Sequence, residues 1–212
     1  MTAGGPVMAV LAALSVLALM VVLAKLWQLF AWGLWRRQPA ESALELAAGG
    51  HWGAAAKEAA SLPPHPAAAL AAWICAMRAE TARGGPAMTA AELHVAAERQ
   101  AQAGLDRVRG GLRLLAFVTA TAPLLGLFGT VLGMIAAFQQ LELAGRQVDP
   151  GRLSGGIWEA LLTTAAGLAV AIPASAFLAF FQSVGERTAI ALEDVAAALL
   201  PAGRDGSGGI PS

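Results

Sequence analysis

Residues 114–141 read LLAFVTATAPLLGLFGTVLGMIAAFQQL, 28 residues without a charged side chain between Arg113 and Glu142. A bilayer's hydrocarbon core is about 30 Å thick, and about 20 mostly apolar helical residues cross it. At about 1.5 Å per residue this stretch reaches roughly 42 Å, so it predicts a spanning helix that tilts or projects beyond the membrane. Two stretches of the same kind flank it. Upstream, Val7–Ala24 is free of charge, and Lys25 is the only charged residue from Pro6 to Trp35. Downstream, Glu159 is the only ionisable side chain between Arg152 and Glu186. The expected fold is all-α: an integral membrane protein with three transmembrane helices and long helices extending into the cytoplasm.

Composition agrees. The chain is 57% hydrophobic and 13% charged, against roughly 25% charged in a soluble globular protein. A formal net charge of zero offers no basic field for nucleic acid. One cysteine, Cys75, excludes an internal disulfide framework and reads as a packing residue. Three scattered histidines have no metal-ligand spacing. No metal, cofactor or enzymatic chemistry is expected, and the lipid bilayer is the evident surrounding.

Basic residues set the expected topology. None precedes the first helix, Arg36 and Arg37 follow it, and Arg107, Arg109 and Arg113 precede the second. Positively charged loops stay cytoplasmic. The chain then divides into a periplasmic N-terminus and first helix (1–35), a cytoplasmic helical region (36–112), helix two (113–141), a periplasmic link (142–155), helix three (156–184), and a cytoplasmic helix with a disordered tail (185–212). Trp27, Trp32 and Trp35 fit an aromatic belt at the inner end of helix one, toward which Lys25 snorkels. Met1–Val7 carries no Lys or Arg, and the apolar run exceeds a signal-peptide core, so an uncleaved first helix is expected.

In the cytoplasmic region Gly49-Gly50, then Pro63-Pro64 with Pro66, then Gly84-Gly85-Pro86 are breaks between short helices. Thr89-Ala-Ala-Glu92 is a capping box that opens a better-marked helix. With Gly104, Gly110 and Gly111 only as soft points, it is read as one long helix entering the membrane as helix two. Gln182–Leu200 reads as an amphipathic continuation of helix three, ended by Pro201.

Small and polar residues pattern the inner helices. Thr119, Pro123, Gly126, Thr130, Gly133 and Ala137 fall near one face of helix two, and Gly129 with Gly133 makes a GxxxG pair. Helix three carries Gly156, Ala160, Thr163, Gly167, Ala171 and Ala174. In lipid, such residues let backbones approach closely, so Gly126, Gly129, Gly133 and Gly167 are assigned to helix packing, and Pro123 and Pro173 to kinks. Thr130, Thr163 and Thr164 either return their hydroxyls to the preceding turn or line a narrow polar path. Glu159 has two readings. With helix three starting at Gly156, it is a third residue favoured by the helix dipole. With a start at Asp149-Pro150, it lies about 14 Å along the axis, where an ionised carboxylate costs about 2.5–3.5 kcal/mol and is kept for a partner, proton or ion.

The run from Ala122 to Met134, APLLGLFGTVLGM, followed by Gly156 to Pro173, GIWEALLTTAAGLAVAIP, resembles the two core helices of ExbB and TolQ in the MotA/TolQ/ExbB proton channel family. Three helices, the first near the N-terminus, match ExbB and TolQ better than MotA, which has four and lacks the glutamate. The resemblance implies that Glu159 is the essential membrane carboxyl and that Thr130 and Thr164, with Thr163 beside them, belong to the proton pathway. It departs at Trp158, which replaces a small residue. It further implies an inner-membrane homo-oligomer, a pentameric ring around an ExbD- or TolR-type partner. Proton motive force would then drive a TonB-type protein for outer-membrane transport. The alternatives are a TolQ-like subunit acting through a TolA-type protein for outer-membrane integrity, or a structural membrane scaffold.

Overall fold

A computed structural model describes residues 5–34, 40–85, 88–144 and 150–200. These residues form seven helices, with no strand among them: α1 (Gly5–Ala31), α2 (Glu41–Ala48), α3 (Trp52–Ser61), α4 (Pro66–Ala82), α5 (Ala90–Arg109), α6 (Leu112–Ala144) and α7 (Pro150–Leu199). Trp35, Arg36, Arg37, Arg146, Asp149 and the tail from Pro201 lie outside the described residues. The chain separates into two compact units, one from the described parts of Met1–Leu26 and Gly111–Gln182, the other from those of Trp27–Gly110 and Ser183–Ser212.

The first unit joins α1, α6 and the first two thirds of α7. Toward its start, α1 packs Val7 and Leu11 against Ala122 and Ala171. Further along, Ala18 and Val22 meet Leu112, Leu115, Val118, Ala174 and Phe181. Residues near the start of α1 therefore meet the middle of α6, and later ones meet its start. The two helices run antiparallel, while α1 and α7 run parallel. Outside this seam the helices stay apolar: Leu19, Met20, Leu124, Phe128, Ile135, Leu161 and Ile172 are all exposed. Helices apolar on every side are at home in lipid, because their backbone groups are satisfied within the helix. Three helices are long and apolar enough to cross a membrane. This is an all-α membrane protein.

The second unit has an alanine-rich core. Ala43, Ala47, Ala55, Ala59, Ala67, Ala71 and Ala97 surround Leu70, Ile74 and Cys75, with Leu192, Val195 and Leu199 from the end of α7. The expected breaks are all present. Gly49 caps α2, Gly50 has φ +77°, the Pro63–Pro66 segment separates α3 from α4, and Gly84 has φ +85°. Burial pushes the Cys75 thiol up, with Arg78 offsetting part of the effect, as suits an inert packing residue. Thr89 accepts from the Glu92 N–H at 3.2 Å and the Glu92 carboxylate accepts from the Thr89 N–H at 2.8 Å, completing the capping box.

His65 caps α4. It is 3% exposed, and its Nδ1 accepts the Ala67 N–H at 3.1 Å. Burial pushes its pKa down from 6.5 to about 4. The folded state thus holds the imidazole neutral over a range where the unfolded chain takes up a proton. The stabilisation is complete above the unfolded pKa and is lost as pH falls from about 6.5 toward about 4. Thermal unfolding of the detergent-purified protein, followed by circular dichroism, should show a transition that drops on acidification through this window. His65→Asn, which keeps a capping oxygen without the titration, should flatten that dependence.

One expectation changes. The single helix from Thr89 into the membrane is broken. Gly110 caps α5, donating to the Asp106 carbonyl at 2.8 Å, and Gly111 adopts φ +79°. That left-handed conformation suits glycine and stops the helix. A Cβ at Gly111 would sit 3.6 Å from Lys25 Cε, so the lysine stem lies alongside the break. Of the two starts open to it, α7 takes the earlier, at Pro150, and runs unbroken for 50 residues through the amphipathic stretch to Leu199.

Candidate functional site

α6 and α7 meet through the small residues, within one chain. A Cβ on Gly126 would fall 3.0 Å from the Thr164 Cα and 3.3 Å from the Gly167 Cα; one on Gly133 would lie 2.8 Å from the Ala160 Cβ; and one on Gly156 would lie 3.0 Å from the Ala137 Cβ. The register is constant: seven residues forward on α6, from Gly126 to Gly133, match seven back on α7, from Gly167 to Ala160. Four further, to Ala137, match four back, to Gly156. At Gly167 a Cβ would come within 2.6 Å of the Ala122 carbonyl oxygen. Only glycine allows this approach. Pro123 and Pro173 both lie inside unbroken helices, where each removes the N–H that would otherwise serve the carbonyl four residues back.

The threonines divide. Thr130 is half-buried and donates to the Leu127 carbonyl of its own helix at 2.7 Å. Thr164, also half-buried, crosses to α6 and donates to the Gly126 carbonyl at 3.0 Å. Thr163 is 3% exposed; its hydroxyl donates to the Ala160 carbonyl at 2.6 Å and lies 3.4 Å from the Gly126 carbonyl. The structure brings Thr163, Thr164, Gly126, Gly129 and Gly167 together. It leaves Glu159 on the exposed flank of α7, next to Trp158, which is 70% exposed. Five residues separate Glu159 from Thr164, about 140° around a helix of 3.6 residues per turn, so within one protomer they face different ways. Sequence reasoning misses the Gly126 carbonyl, which takes the Thr164 hydroxyl. The signal for it is the matched glycine spacing of the two helices.

The start of α7 bears on the two readings of Glu159. As the tenth residue of a helix that begins at Pro150, it lies beyond the first turn, where the dipole acts. With Gly133 opposite Ala160, Glu159 is level with Met134, about 10 Å from the midpoint of the uncharged run on α6. The hydrocarbon half-thickness is about 15 Å. The carboxyl therefore falls inside the apolar layer when that run is centred in it. An ionised carboxylate at that depth costs about 2.5–3.5 kcal/mol. Among the described residues no cluster of His, Cys, Asp or Glu is suited to a metal.

The family model described as MotA/TolQ/ExbB proton channel family matches residues 75–194, more than half of the chain and all of α5 and α6. The chain belongs to the MotA/TolQ/ExbB proton channel family. Within this proton channel family it is similar to the biopolymer transport protein exbB1 of Vibrio cholerae, 42% identical over 83 residues that cover 39% of this chain and 36% of that protein. It is similar also to the putative biopolymer transport protein ExbB-like 3 of Synechocystis, 35% identical over 97 residues covering 45% and 46%. The biopolymer transport protein ExbB of Neisseria gonorrhoeae is 50% identical over 64 residues, 30% of this chain and 29% of that one. The chain thus spans about a third to a half of the length of these relatives. The family match includes Glu159 and all three threonines, whereas α1 to α3 lie before it.

Proposed function

We propose that this chain is the ExbB-like proton-channel and stator subunit of an inner-membrane complex that spends proton motive force on outer-membrane transport through a TonB-type protein. The observation that supports this reading most is the place of Glu159. It is the one ionisable side chain between Arg152 and Glu186, level with Met134 on an apolar helix, in a chain of a proton channel family. A proton moving down the membrane potential releases about 2.3 kcal/mol per 100 mV. Glu159 accepts and releases it, while Thr130 and Thr164, with Thr163 behind them, keep the neighbouring surface polar. The chains assemble as a pentameric ring around the membrane helices of an ExbD- or TolR-type partner, and each protonation biases that partner between orientations. The work is mechanical rather than catalysis on a substrate. Relatives named as biopolymer transport proteins favour ExbB over TolQ, for which the output is outer-membrane integrity through a TolA-type protein.

Reconstitution into liposomes tests this directly. Proton flux should need both the chain and an ExbD-type partner; no flux with any such partner would leave a scaffold. The proposed topology has the N-terminus periplasmic, 36–112 and 185–212 cytoplasmic, and 142–155 periplasmic. A reporter active only in the periplasm should work when inserted between Leu143 and Ser154 and fail at Ala60. The opposite pattern would overturn the orientation.

A further inference from the structure

The second unit leaves two apolar features open on its surface, and both involve α5. The first is a groove of about 780 Å³ between α5 and the end of α7. Ala97, Ala101 and Leu105 of α5 and Ala189, Leu192 and Ala196 of α7 form its floor, buried or half-buried, while Glu98 and Glu193 stand exposed along its edges. The second is a ridge on another face of the same helix. Met88, just before α5, is 40% exposed and Val95 is 48% exposed. Ala91 lies between them, and Arg99, one turn beyond Val95, reaches the groove's edge as well. Val95 and Ala101 are six residues apart, about 120° around the helix, so ridge and groove look in different directions. α5 carries Glu92, Glu98, Arg99, Asp106, Arg107 and Arg109. A helix with this charge stays outside the apolar layer, so lipid covers neither feature. An apolar patch left open to water and rimmed by polar residues marks a place where another surface docks.

The two features match each other. The α5 wall of the groove runs from His94 to Leu105 and the ridge from Met88 to Arg99, each of them roughly 16–19 Å long. A floor of alanines leaves room for a methionine and a valine. The ridge ends in the Arg99 guanidinium, and the α7 wall of the groove bears the Glu193 carboxylate, both exposed. We propose that the groove receives the Met88–Arg99 ridge of a second copy of this chain, with Arg99 of that copy paired to Glu193. A ridge that meets a groove rather than another ridge makes a head-to-tail contact, and such contacts generate a ring where the rotation closes. A second copy is the occupant because the chain itself supplies both halves, matched in length, apolar character and charge. The inference rests on the homo-oligomer proposed above and names a surface that joins its protomers.

Paired cysteines in the full-length chain test this in native membranes. Val95→Cys on the ridge and Ala196→Cys in the groove, oxidised with copper phenanthroline, should join copies into a ladder of dimers and larger species on a non-reducing gel. Either variant alone should give no ladder, and the native Cys75, fully buried, should stay silent. Arg99→Glu or Glu193→Arg added to the pair should lower the ladder's yield at least fivefold, and the two together should restore it to within twofold. A dimer from Val95→Cys alone would mean that ridges meet each other, and it overturns the proposal. So does shielding of Ala196→Cys from a water-soluble maleimide that arises only with the ExbD-type partner present, since the partner would then fill the groove. The native mass of the detergent-extracted chain is measured alongside. An oligomer without a ladder removes this interface and leaves the proposed ring. A ladder without proton flux in liposomes removes the proton-channel reading and leaves the interface, and a single-chain mass with no ladder removes both.

Discussion

Glu159→Gln should abolish proton-driven output while the complex still assembles. Glutamine keeps the size and nearly all the polarity of the side chain and removes the ability to titrate. A helix-cap role would predict a change of only about 0.3–1 kcal/mol in a dipole interaction, and even that is reduced by the nine residues of α7 that precede Glu159. A proton-carrying role predicts a fall in liposome proton flux of at least tenfold, and loss of TonB-dependent uptake in cells. Glu159→Asp should keep partial activity, since the carboxyl remains but is withdrawn by one methylene. Thr130→Ala and Thr164→Ala should weaken flux less, because water substitutes in part for a hydroxyl. Full flux through an assembled Glu159→Gln complex would leave only the scaffold.

The second large effect is expected at Gly167. A Cβ there would lie 2.6 Å from the Ala122 carbonyl oxygen and 3.1 Å from the Gly126 Cα. Both neighbours are backbone inside a helix and cannot swing aside. Gly167→Val should therefore push α6 and α7 apart, costing about 3 kcal/mol, the upper end of overpacking. Protease resistance of the detergent-extracted chain reads this, and Gly155→Ala is the control, because a Cβ at Gly155 meets nothing within 4 Å. Gly133→Leu strikes a side-chain carbon, the Ala160 Cβ, in the same chain. Its first consequence should be a disturbed hairpin, with any loss of oligomer following from that. Wild-type protease resistance in Gly167→Val would mean that the two helices are packed more loosely than the register indicates.

The spanning helices were legible because an uncharged run of this length is hard to place anywhere but across a bilayer. The short helices were legible because glycine and proline punctuate them. What sequence left undecided was the use made of particular glycines. Gly104 and the Gly110–Gly111 pair look alike as soft points, yet Gly104 stays helical and lets Pro66 approach, where an added Cβ would sit 3.1 Å from the proline Cβ. Gly111 turns left-handed and ends the helix. Glycine permits both outcomes, and only the neighbouring helix selects one. The same holds for the threonines. Thr163 and Thr164 are identical side chains one residue apart, and the partner helix alone makes one buried and the other half-exposed. The depth of Glu159 hinged on whether α7 began at Pro150 or Gly156, a difference of fewer than two turns that no pattern in the link settled.

The constant register of α6 against α7 limits how the hairpin moves. Gly126 lies against Thr164 and Gly167, Gly133 against Ala160, and Ala137 against Gly156, and a slip of one position would bring larger neighbours such as Leu161, Leu162 and Leu168 toward these gaps. The next comparable alignment is about a turn away, roughly 5.4 Å. The height of Glu159 along α6 is therefore stepped rather than continuous, with no gradual vertical travel open to it. Under the proposed function, the cycle then comes from swivelling the carboxyl about its own bonds, or from a partner that moves past it. In that proposal the helix pair is the fixed track.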